Sequence, residues 1–259
     1  MYKTEMNNLV RIFGIEFSNV TLPEAANDIV NLAINREKGL ILPVNVDQVI
    51  TFNSNKEIKR IYSNALRIYA DGMPIVWLSK LKRSALKERV TGSDLTPEIC
   101  RICAKNNVRI FLLGAAPGVA DLAASKLKHK YSGLDIVGTY SPPYGFENDN
   151  NEIDRAIRTI NQTMPDILFV ALGFPKQEIF ADKYLTRLDV GPIISIGATL
   201  DFIAGDVRRA PKLFRDNGLE WLWRFFQEPR RLWRRYLIRG PRFLIIAIKE
   251  LFIKANLNG

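Results

Sequence analysis

Residues 167–178 read ILFVALGFPKQE, and the first seven hold six apolar side chains and Gly173. A strand with one wet face alternates polar and apolar residues; this one does not alternate. It therefore has to be covered on both faces, as parallel strands lying between two layers of helices are. Past Gly173 the chain must turn, with Pro175 expected at the first position of a helix whose first turn carries Lys176, Gln177 and Glu178. Ligands of open α/β sheets bind outside the carboxyl ends of the strands, where free helix amides favour anions. A cation and a carboxamide placed there suit a phosphorylated or sugar-bearing ligand.

The rest of the chain repeats that unit. Val10–Phe17 reads as a short strand bent at Gly14, followed by a helix capped by Thr21, opened by Pro23 and ended by Gly39. LILPVNV, LRIYADG, VRIFLLG, DIVGTY and PIISIGA are further strands, and the segments between most of them carry helical periodicity. Ser93 or Asp94 is expected to cap the helix that runs to about Asn107. Strands alternating with helices predict an α/β fold with a mainly parallel, doubly wound, Rossmann-like sheet over residues 1–207. Residues 208–259 differ: they are basic, aromatic and helical in pattern, and are expected to form a C-terminal appendage.

Charge divides at the same boundary. Residues 208–259 hold 13 Lys/Arg against 4 Asp/Glu, whereas residues 1–207 hold 24 against 23. Such a segment implies an anionic partner: a phosphate-bearing ligand, an acidic lipid surface or nucleic acid. Nothing at the N-terminus resembles a secretory signal and no run reaches ~18 apolar residues, so a spanning protein is not expected and the cytosolic side is the default. Cys100 and Cys103 form a lone C-x-x-C with only His129 elsewhere. Structural zinc takes about four ligands, so buried packing is the preferred role.

Five strand tips would share one edge of a parallel sheet and bring candidate groups together: Asn45, Asp71, the Gly114 turn, Lys176 with Gln177, and Thr199 with Asp201. Each has a bland alternative, because Asp-Gly is a common turn and Asn at a strand end often satisfies its own backbone. Asp71 is the best candidate base, since a carboxylate beside a buried sheet edge has its pKa raised; its alternative is to cap the helix near Pro74. GAAPG lacks full dinucleotide spacing, and no D-x-D occurs to bind a divalent metal with a nucleotide sugar. Cationic side chains would then have to stabilise a leaving diphosphate. Arg224, Arg231 and Arg234, spaced by seven and three, fall near one face if the helices around Pro229 run on. The interleaved tryptophans, phenylalanines and leucines either pack on the α/β body or lie in a membrane interface.

Six stretches taken together, DG at 71–72, ERVTGSDL at 88–95, FLLGAAPGVA at 111–120, DILFVALGFPKQE at 166–178, DFIAGDVRRAP at 201–211 and GLEWLWRFFQEPRR at 218–231, resemble the WecG/TagA/CpsF family of bacterial glycosyltransferases. The likeness covers essentially the whole chain. It implies an inverting, metal-independent transfer, without a cofactor, from a UDP-sugar to a polyprenyl-diphosphate-linked saccharide at the cytoplasmic membrane face. It also implies Asp71 as general base, Asn45, Arg89 and Gln177 on the sugar or acceptor, Asp201 near the nucleoside, and Arg224, Arg231 and Arg234 closing over the diphosphate. Lys176 and Gly114 complete the expected substrate site. Family members often carry Thr where this chain has Pro43, and a second Gly where it has Ala198. N-acetylmannosamine, its uronic acid and glucose are the candidate sugars, and a homo-oligomer off the membrane fits a movable appendage. Two other classes stay open here: a nucleic-acid binder, which the strand-tip acids fit poorly, and a noncatalytic membrane-peripheral scaffold.

Overall fold

The computed structural model describes residues 8–82, 84–211, 213–214, 218–227, 229–233 and 239–253. The chain opens not with one bent strand but with an antiparallel hairpin, β1 (Leu9–Ile12) and β2 (Ile15–Ser18). Phe13 and Gly14 both take positive φ (58° and 78°), the geometry of a two-residue turn whose twist matches paired strands. This is a correction: Gly14 reverses the chain instead of bending it. Helix α1 (Leu22–Ile34) starts as its sequence dictates, with Thr21 and Glu24 exchanging capping bonds and Pro23 in the first turn. It stops at Ile34, and Gly39 opens the next strand rather than closing this helix.

Six strands form the main sheet: β3 (Gly39–Val44), β4 (Arg67–Ala70), β5 (Arg109–Gly114), β6 (Asp135–Tyr140), β7 (Ile167–Ala171) and β8 (Pro192–Ser195). They lie in the order β4-β3-β8-β7-β5-β6, and every pair is parallel. All five residues of β7 are buried between β8 and β5, as the unbroken apolar run requires. One face is covered by α2 (Val46–Ser54), α3 (Lys56–Ser63), α4 (Met73–Leu81), α7 (Asn150–Thr163) and α8 (Lys176–Lys183). The other carries α1, α5 (Gly92–Asn106), α6 (Val119–Lys130) and α9 (Thr199–Ala204).

Chain direction creates the cleft. After β7 the chain crosses to β8 on one side, and after β5 it crosses to β6 on the other, so the two following loops diverge from adjacent tips. Gly114 sits at that point with φ +107°, and a Cβ there would fall 2.5 Å from the Ala171 carbonyl oxygen, so only glycine lets β5 and β7 close up.

Among the described residues after the α/β body, three helices have stated bounds: α10 (Glu220–Gln227), α11 (Pro229–Trp233) and α12 (Gly240–Ile253). Gly240 and Pro241 begin α12 rather than merely ending what precedes it, as proline in a first helical turn can. Helix α12 is docked on α2 and α4. Phe243 is 8% exposed with its ring 5.6 Å from Phe13, Ile246 and Ala247 pack beside it, and Glu250 pairs with Lys82. The opposite side of the same helix leaves Leu244, Ile245, Ile248 and Phe252 exposed, and α4 also exposes Trp77 and Leu81. One side of α12 thus packs on the body and the other faces outward.

Candidate active site at the strand tips

Asp71 follows β4 directly, and its N–H donates to the Val44 carbonyl, which extends the parallel ladder by one residue. It does not cap the following helix: Gly72 occupies that position without a side-chain bond. The segment after α4 returns beside it, because the Val90 N–H donates to the Ala70 carbonyl at 3.0 Å. Thr91, not Ser93 or Asp94, then caps α5, accepting from the Asp94 N–H, since Thr91 is the residue that still has extended backbone. That start places the Gly92 N–H 3.4 Å from Asp71 Oδ2. Gly92 also packs close against the Ile196 backbone, so the β4 tip meets the β8 tip.

Four alternating charges surround this point. Arg89 contacts Glu220 at 3.1 Å and Asp94 at 3.6 Å; Arg209 contacts Asp94 at 2.6 Å and Glu220 at 3.7 Å. The side chains of Arg89 and Glu220 are only 14% and 16% exposed, so these pairs are shielded from the solvent screening that weakens surface pairs. Burial pushes the Asp71 carboxyl up to about 6; Arg89 works against that rise, and the carboxylates of Glu220 and Asp94 add to it. Burial also acts to raise Asp94, but Arg209, the Thr91 hydroxyl and Arg89 outweigh it and hold Asp94 below the usual carboxylate range.

The other expected residues divide into those at the surface and those beneath it. Asn45 caps α2, its side chain accepting from the Asp47 and Gln48 amides. Lys176 is half exposed, ion-paired with Glu147 and 4.9 Å from the centre of the Tyr144 ring. Pro175 precedes the helix rather than opening it: the Phe174–Pro175 bond is cis and α8 begins at Lys176. Gln177 lies in the floor at 3% exposure, its oxygen accepting from the Gly197 N–H at 3.2 Å. Asp201 sits in the first turn of α9, just beyond the β8 tip. Arg224 lies on α10 and Arg231 on α11, with their side chains outside the described set; Arg234 lies outside the described residues.

Arg209 and Glu220 were not singled out from sequence as members of this cluster. Their signal is present nonetheless: Glu220 is one of only four acids in the basic segment, and a minority charge in a one-sign run has a specific partner to meet. Glu250, another of the four, is spent in the same way on Lys82. The cysteines follow the packing expectation: both are buried and free, and burial pushes Cys103 up to about 12 and Cys100 higher than its usual range, which keeps both as unreactive thiols.

The profile of the Glycosyl transferase WecG/TagA/CpsF family matches residues 10–257. Two characterised relatives carry the same name, N-acetylglucosaminyldiphosphoundecaprenol N-acetyl-beta-D-mannosaminyltransferase. The one from Bacillus spizizenii (strain W23) is 30% identical over 238 residues, covering 91% of this chain and 89% of the relative. The one from Bacillus subtilis (strain 168) is 29% identical over 240 residues, covering 92% and 91%.

Proposed function

The chain belongs to the WecG/TagA/CpsF family of glycosyltransferases, and on that premise we propose that it moves an N-acetylmannosaminyl group from a UDP-sugar to N-acetylglucosamine carried on a polyprenyl diphosphate. The transfer inverts the anomeric centre and uses no metal. Asp71 is the observation that carries this reading: a carboxylate raised to about 6, partly open to solvent, at the tip edge where the strand ends converge. It takes the proton of the acceptor hydroxyl as that oxygen attacks the anomeric carbon; the bond from carbon to the UDP oxygen breaks, and its electron pair leaves with the diphosphate. Arg224, Arg231 and Arg234 supply the cations that stabilise this departing charge, guanidinium forks matching phosphate oxygens. Asn45, Arg89, Lys176 and Asp201 bound the donor and acceptor positions around it.

The exposed apolar row of α12, with Trp77 and Leu81 of α4 and Arg242 and Lys249 also exposed, supports docking on an anionic lipid surface at the cytoplasmic face. Among the described residues no helix is long and apolar enough to cross a membrane. A lipid-borne acceptor therefore has to be met by a face that lies on the bilayer.

The test is transfer from UDP-N-acetylmannosamine to a lipid-linked N-acetylglucosamine diphosphate in EDTA, with vesicles present and the product anomer read by NMR. A β-linked product formed at an undiminished rate in EDTA agrees with the proposal. Loss of turnover on chelation, or retention of the donor's anomeric configuration, overturns it.

A further inference from the structure

Glu178 has no role in the chemistry above, yet it is 0% exposed at the third position of α8, directly beneath the strand tips. Its Oε1 accepts from two carboxamides, Gln177 Nε2 at 2.9 Å and Gln48 Nε2 at 3.3 Å. Each glutamine hands the constraint on. The Gln177 oxygen accepts the Gly197 N–H at 3.2 Å, after β8, and the Gln48 oxygen accepts the Asn45 N–H at 2.8 Å, after β3. Asn45 in turn holds the first turn of α2 through the Asp47 and Gln48 amides.

A buried carboxylate is a costly way to fill space, and an apolar side chain of the same volume would serve stability better. Its value here is directional. A carboxamide has a donor end and an acceptor end of nearly the same shape, and either can turn toward a neutral partner. Burial pushes the Glu178 carboxyl up to about 7, but Oε1 accepts whether the group is ionised or carries its proton on Oε2. Both glutamines must therefore turn their NH2 groups toward Glu178, which leaves both carbonyl oxygens facing outward, one to Asn45 and one to Gly197. Asn45 and Gly197 lie on strand ends flanking the Asp71 corner, because Gly92 joins Asp71 to the backbone just before Gly197.

We infer that Glu178 is a positioning residue: by fixing both glutamine carboxamides in one orientation, it locks the β3 and β8 tips into a single frame around the sugar donor. The inference rests on the glycosyl-transfer reading for its catalytic consequence, but the frame itself is measurable without any sugar.

Glu178→Met keeps the volume and removes the acceptor; Glu178→Gln keeps an acceptor oxygen. In E178M, kcat is expected to fall roughly 10–100-fold with KM changed much less, the signature of bound but misaligned reactants. E178Q, whose carboxamide can present either end, recovers only part of that loss. Gln177→Met breaks one arm, and if Glu178 acts through that arm the double variant E178M/Q177M is no worse than E178M alone. The amides of Asn45 and Gly197 exchange with deuterium faster in E178M than in wild type or E178Q, whether or not transfer is observed. Unchanged exchange at both amides, or losses in E178M and Q177M that multiply, overturns the inference. If E178M fails to fold, Q177M and Gln48→Met are read in its place, each expected to speed exchange only on its own arm; uniform acceleration would refute the frame. Wild-type protein inactive on the proposed substrates, with exchange behaving as expected, would remove the functional reading and leave the frame standing.

Discussion

Replacing Asp71 with Asn separates a catalytic from a structural consequence with opposite signs. Asparagine keeps an acceptor for the Gly92 N–H and nearly the same shape, but it cannot take a proton. Loss of a general base costs about 10²–10⁴-fold in kcat. Stability moves the other way. The Asp71 carboxyl rises from an ordinary 3.8 to about 6 because burial disfavours its charge, so the fold prefers it neutral. Below pH 3.8 folded and unfolded chains both hold the proton and nothing is lost. As pH climbs from 3.8 through 6, the folded protein has to carry an ionised carboxylate that the unfolded chain would solvate better. At 1.36 kcal/mol per pH unit the full cost is about 3 kcal/mol, and the partial solvent access of Asp71 reduces this to about 1–3 kcal/mol. D71N escapes it. Urea unfolding at pH 8 should therefore find D71N more stable than wild type by about that amount, with the gap closing as pH falls toward 4. Full turnover by D71N refutes the base assignment. A gap that is absent at pH 8, or equal at both pH values, refutes the claim that burial sets this carboxyl.

Two further outcomes test the contacts around that corner. Glu220→Gln removes a negative charge that raises Asp71 and frees Arg89 to lower it, so the acid limb of the pH–rate profile should move to lower pH; a limb that stays put would show that α10 does not act on the base. Phe243→Ala takes a large side chain out of the α12 contact, expected to cost about 3 kcal/mol in denaturant unfolding unless α12 detaches at less. A cost within about 0.5 kcal/mol would place Phe243 outside the core.

Much of this architecture was legible from local pattern. The unbroken apolar run at 167–171, the Thr21/Glu24 cap and the strand tips at Asp71 and Gly114 all rest on short-range rules, and the fold obeys them. What escaped involves partners distant in sequence. Thr91 outcompetes Ser93 as a cap because Val90 is already held to β4, a tether no local rule contains. The Arg89–Asp94–Arg209–Glu220 cluster spans 131 residues of sequence between its first and last members. The bond from Gln177 to Glu178, inside the floor of the site, likewise depends on how α8 packs and not on a local rule. Phe13 and Gly14 failed as a bent strand because two successive left-handed residues reverse a chain.

The contact between Phe13 and Phe243 also has a consequence for biosynthesis. The two rings meet across 230 residues of sequence, so the N-terminal hairpin emerges from the ribosome long before the helix that covers it. At roughly 5–20 residues per second, that interval is on the order of ten to fifty seconds, during which the apolar surface beneath α12 stays open. The core beneath α12 closes only after residue 243 has been made. Glu220 meets Arg89 under the same constraint, so the charge it adds at the Asp71 corner also waits for residues beyond the α/β body. A nascent chain therefore completes its Asp71 corner and the outward apolar face of α12 only after the whole α/β body has been made.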